Sequence, residues 1–147
     1  MTPLPDRATW LGILATAGHD QLLTLWDVVR PVPDHHILRA PEIGTVMLRG
    51  RTGGTGLAFN LGEMTVTRAS VQLTSGPVGH GHVQGRSHAA ALAAALIDAL
   101  MQTAQASELE TKILSPLAAE QAGRQAARAA RAAATKVDFF TLVRGDD

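Results

Sequence analysis

The chain has 147 residues, a length that suits one hydrophobic core. Its 13 basic and 13 acidic residues cancel, which removes any global electrostatic case for nucleic acid or an anionic membrane as partner. There is no cysteine, which excludes disulfides, thiolate nucleophiles and cysteine-held metals, and the 46% hydrophobic content leans on alanine with only 3% aromatics, so the core is expected to be thin.

Asp6 reads as the N-cap of a helix carrying Trp10, Leu11, Ile13 and Leu14. Gly18 ends it, and His19-Asp20 opens a second helix that Pro31 and Pro33 stop. From Asp34 to Gln84 short β-branched runs alternate with turn signals. His35–Ala40, Thr45–Arg51, Thr65–Leu73 and His80–Gln84 are the expected strands, with turns at Pro41–Gly44 and Ser75–Gly79. Connections this short favour antiparallel pairing. Ser87 caps a long helix over His88–Gln105, whose Leu92, Leu96 and Leu100 form a stripe at helical spacing suited to covering the sheet. After Ser115-Pro116 comes a different helix, Leu117 to about Thr135, alanine-rich with Arg124, Arg128 and Arg131. The expected fold is α+β, an antiparallel sheet of about four strands with helices mainly on one face. A single domain over 1–147 divides into a body over 1–115 and a helical arm with a docking tail over 116–147. Trp10–Ala15 follows prolines and Asp6, and Ala89–Met101 is interrupted by Asp98, so neither reads as an export signal or a membrane span; a cytoplasmic location is expected.

Several constellations invite a chemical reading. Arg51 and the cluster Gly53, Gly54, Thr55 and Gly56 could bring backbone N–H groups close to a phosphate. The cluster lacks a P-loop lysine and leads into no predicted helix, so a turn between strands explains it equally well. Val83–His88 runs from a strand into a helix start, where Arg86 could assist anion binding beside unpaired N–H groups. His80 and His82 share one strand face, with His88 just beyond, but no nearby carboxylate would orient a zinc ligand; a surface strand is favoured and no metal site is expected. The basic stripe Arg124, Arg128, Arg131 and Lys136 is read as a solvated or acidic-partner-facing edge rather than a nucleic-acid surface. Glu42, Glu63 and Asp98 form no evident acid–base pair; Asp98, inside an otherwise apolar helix, could be a buried functional acid, but the polar edge of its helix is the favoured place.

The tail differs from an ordinary surface. Val137, Phe139, Phe140, Leu142 and Val143 precede Arg144 in KVDFFTLVRGDD. Burying both rings would be worth roughly 3–6 kcal/mol, whereas exposing them invites aggregation. They are expected to dock, either on the chain's own sheet or on another chain; the thin core and the alanine-rich arm before them favour another chain, which makes these six residues candidates for partner binding.

In order along the chain, GGTG, TVTRASVQL, VQGRSHAAALAAALIDALMQ and TKVDFFTLVRGDD resemble the PhnG family of the bacterial carbon–phosphorus lyase system. The segments that carry the resemblance most are Gly53–Gly56, Thr67–Ala69, Val83–Arg86, Ala95–Gln102 and Lys136–Asp146. That likeness implies an accessory subunit in a hetero-oligomer with PhnH, PhnI and PhnJ, acting with the ATP-binding-cassette-type PhnL. The assembly would displace adenine from ATP with an alkylphosphonate, giving ribose 1-phosphonate 5-triphosphate. ATP would then be a substrate of the assembly, with no cofactor bound by this chain. The family tends to have aromatic residues where this chain has His80 and His82, which weakens the zinc reading further, and it supplies no catalytic residue to carry over. The alternative is a stand-alone phosphate-handling hydrolase or nucleosidase built on Arg86, the glycine cluster and the histidines.

Overall fold

The computed structural model describes residues 4–29 and 31–136. Helix α1 spans Arg7–Thr16, and the Asp6 carboxylate caps it by accepting from the Thr9 N–H at 2.8 Å. Helix α2, His19–Trp26, follows after the Ala17-Gly18 break.

Three antiparallel strands then form one sheet in the order β1-β2-β3, with β1 at His35–Arg51, β2 at Ala58–Leu73 and β3 at Val78–Gln84. Among the described residues the sheet therefore has three strands rather than about four. The segments expected as two strands, His35–Ala40 and Thr45–Arg51, are one long β1, and Pro41–Gly44 is not a turn. Its register against β2 shifts between Ile37 and Arg39 and again between Arg39 and Glu42. Pro41 falls within the second irregularity, on a strand with one free edge. A proline is tolerated there because no ladder hydrogen bond is asked of it.

Helix α3, His88–Leu100, starts at Ser87, whose hydroxyl accepts from the Ala90 N–H at 3.1 Å. From Ala90 to Met101 every residue except Leu92 is buried, so α3 is a central helix, apolar nearly all round. It ends at Leu100 rather than Gln105, because turns over Met101–Gln105 interrupt it. A helical segment then continues without a break as α4 (Ala106–Leu109), a π-helical turn (Glu110–Leu114) and α5 (Ser115–Ala134). Pro116 sits just past the π turn. A proline removes one helical hydrogen bond and its ring crowds the carbonyl four residues back; the wider turn relieves that crowding.

The core joins Ala69, Val71, Leu73 and Val83 of the sheet to the alanines of α3, then to Trp10, Leu14, Leu22, Trp26, Ile113 and Leu117. At Gly79 and Gly81 of β3 the nearest atoms of α3 belong to Ala91, Ala95 and Ala99. A methyl group added at Gly79 or Gly81 would run into the backbone of Ala95 or Ala91. Small residues on both sides let helix and strand approach until their backbones nearly touch. Two elements leave this body: the outer part of the β1–β2 hairpin, and the second half of α5, where residues 122–136 are all exposed.

Candidate functional site

Arg7, Trp10, His80 and Asp98 meet where α1 lies along the outer edge of β3. Asp98 is fully buried. One carboxylate oxygen accepts from the Arg7 Nε at 3.1 Å and the Trp10 Nε1 at 2.8 Å. The other accepts from the Arg7 Nη2 and the His80 backbone N–H, both at 2.8 Å. Hydrogen bonding to Asp98 is the main cause that pushes the Arg7 pKa further up, opposed by partial burial and aided by the opposite charge. Arg7 and Gln102 also donate to the Val78 carbonyl, at 3.2 and 2.8 Å, and the His19 Nε2 lies 2.7 Å from the Gln84 carbonyl. Side chains thus close the β3 edge, which no further strand pairs among the described residues. Asp98 does not lie at a polar helix edge, as expected from the sequence; the edge strand's N–H and two α1 donors draw it inside. A carboxylate that accepts from four donors is a structural anchor, with its lone pairs engaged.

A second polar knot joins β2 to the turn before α3. The buried Thr67 hydroxyl donates to the Gly85 carbonyl at 2.7 Å and accepts from the Ser87 N–H at 3.1 Å. Two segments of the resemblance, at Thr67 and at Val83–Arg86, therefore meet in one hydrogen-bonded joint. Arg86 is exposed beside it. Close by, Thr16, Gly18, Gln84, Gln121, Arg124, Gln125 and Arg128 line an open polar cleft of about 410 Å³. Arg124 pairs with Glu120 and donates to the Thr16 carbonyl at 3.2 Å, which ties α5 to the end of α1.

The glycine cluster lies elsewhere. Thr52–Gly54 is a short turn at the tip of the β1–β2 hairpin, with Gly53 and Gly54 at φ of 60° and 83°, which only glycine adopts without strain. Arg51 donates to the Gly56 carbonyl at 3.2 Å across that tip. Val66 pairs with Gln84 at the end of β3, while the tip closes at Ala58, eight residues on, so Arg86 and the cluster stand roughly 26 Å apart along the strand. The histidines are separate again. His80 and His82 are exposed on the sheet face away from α3; the His80 Nδ1 lies 2.9 Å from the Ser70 hydroxyl, and both histidines border a groove of about 320 Å³ beside Leu11 and Leu14 of α1. Among the described residues no three His, Cys, Asp or Glu side chains cluster as a metal site would require. The tail candidates Val137, Phe139, Phe140, Leu142, Val143 and Arg144 lie outside the described residues. Sequence reading did not bring Arg7 and Trp10 to Asp98; their i, i+3 spacing on one helix face was the available signal.

Comparison with known proteins supplies what this geometry lacks. Residues 5–145 match the family described as phosphonate metabolism protein PhnG. A relative from Rhizobium meliloti (strain 1021), alpha-D-ribose 1-methylphosphonate 5-triphosphate synthase subunit PhnG, is 43% identical over 142 residues, covering 97% of this chain and 91% of its own length.

Proposed function

The chain belongs to the PhnG family, and from that premise we propose that it is a non-catalytic subunit of a ribose 1-phosphonate 5-triphosphate synthase. The observation that carries the reading is the near full-length match to a relative named as such a subunit. The assembly would join ATP to an alkylphosphonate: a phosphonate oxygen bonds to ribose C1′, the bond from C1′ to adenine breaks, and adenine leaves with the proton. Companion chains of the PhnH, PhnI and PhnJ kinds, with PhnL, would supply the catalytic groups in the cytoplasm. This chain would bind no cofactor of its own.

The separation of Arg86, the glycine tip and the histidines supports the accessory role over a stand-alone hydrolase, since groups roughly 26 Å apart cannot act on one phosphate. Arg51, Gly53–Gly56 and Arg86 are then residues that could meet substrate only inside the assembly. The deciding experiment is phosphorus NMR of ATP plus methylphosphonate with the reconstituted subunits, with and without this chain. The ribosylated product should vanish on omission. Undiminished product without this chain would refute the role.

A further inference from the structure

The hydrophobic face of the sheet changes sides along β2. On the body, Ala69, Val71 and Leu73 are buried under α3, while Arg68, Ser70 and Gln72 face away from it. Beyond Thr67 the pattern inverts: Met64 and Val66 belong to the side that carries Arg68. Cross-strand pairs lie on one face, and Val46 pairs with Met64, Leu48 with Gly62 and Gly50 with Phe59. A Cβ at Gly50 would stand 3.6 Å from the Phe59 ring and 3.9 Å from the Leu61 Cβ, which places both side chains on this same face. The arm therefore carries an apolar face of Val46, Leu48, Phe59, Leu61 and Met64 on the side opposite α3. Alternation of this kind specifies a buried face, yet Phe59 is 44% and Leu61 65% exposed.

The other face of the arm is not purely polar either, with Met47 at 52% exposure, and Leu57 at the tip reaches 87%. A two-stranded ribbon with apolar side chains on both faces and its tip is marginal alone in water. Its apolar face measures roughly 20 by 10 Å, or about 200 Å², far below the ~800 Å² each partner of a stable dimer contributes. Face-to-face pairing with a second copy would thus be too small, whereas a groove would enclose both faces and the tip. Between Val46 and Met64 the arm carries Arg49 and Arg51 against one carboxylate, Glu63, which stands across from Met47.

We propose that the β1–β2 arm inserts into an apolar groove, rimmed by carboxylates, on a companion protein subunit. The proposal rests on the reading of this chain as an assembly subunit. To test it, the full chain is co-expressed with its companion subunits, either unaltered or as the Phe59→Glu, Leu61→Glu double variant. Binding by the variant should weaken at least about 100-fold, as loss of a central apolar anchor does, with unchanged thermal unfolding of the isolated chain. A photo-crosslinker in place of Leu57 should capture a companion subunit. Equal binding by both forms overturns the arm proposal alone, and so does a crosslink to the chain's own tail or to a second copy. Failure of the unaltered chain to co-elute with any companion sinks the subunit reading itself, and this proposal with it.

Discussion

Asp98 concentrates more interactions than any other side chain described. Replacing it with alanine strands the Trp10 indole N–H, the His80 N–H and one end of Arg7 in or near the core. Arg7 is 43% exposed and keeps access to water, so the cost falls mainly on the two stranded N–H groups, at about 1–3 kcal/mol each. The midpoint of chemical denaturation of Asp98→Ala should fall accordingly, and Asp98→Asn, which keeps one acceptor and the side-chain volume, should lose less. Equal stability of Asp98→Ala and the unaltered chain would remove its anchoring role. Asp6 adds a pH dependence. Hydrogen bonding to Thr9 lowers its carboxyl pKa in the folded state, so the cap's contribution is present in full above the unfolded-state value and is lost as pH falls through the folded-state value. The stability gap between the unaltered chain and Asp6→Ala should therefore be widest near neutrality and close on acidification below the ordinary carboxylate range. A gap that persists undiminished into strong acid would show that the capping bond is not its source.

Among the elements, the α3–β3 contact depends on the absence of side chains. A methyl at Gly81 meets the Ala91 carbonyl, which is backbone and cannot turn aside. Helix and strand would have to separate, so Gly81→Ala should cost about 3 kcal/mol or more by overpacking, read as a lowered thermal midpoint. An addition of the same size at Gly62, where nothing lies within 4 Å, should be nearly silent by comparison. These glycines were visible in the sequence, but only the packing tells the two kinds apart. At the other end of the chain, removal of Val137–Asp147 should abolish co-purification with the companion subunits while leaving the body folded, because the described core ends at Leu117. Intact assembly after that deletion would remove the tail from the interface.

For the whole molecule, a thin core and two projecting elements belong together. Much of the apolar content lies in one central helix and the small core around it, and the arm and the end of α5 reach outward with their surfaces uncovered. A subunit built this way is expected to complete its burial in an assembly, since exposed apolar surface of this kind marks an interaction site. The isolated chain should therefore release no adenine from ATP in the presence of methylphosphonate, measured by chromatography. Release by this chain alone, lost in Arg86→Ala, would instead favour the hydrolase reading.

The helix starts at Asp6 and Ser87, the antiparallel pairing and the family itself were legible in the residues, because caps, short connections and ordered segments are local signals. The tertiary structure decided the rest. It merged two expected strands into one, since a proline at a free sheet edge bends a strand without ending it. It drew Asp98 inside, since donors 18 and about 90 residues away in sequence converge there. It separated Arg86 from the glycine tip by the length of an arm, a distance that no spacing along the sequence encodes. The inversion at Val66-Thr67 was written in the alternation of β2, but which side α3 would cover, and so which side was left for a partner, depended on where the chain brought that helix to rest.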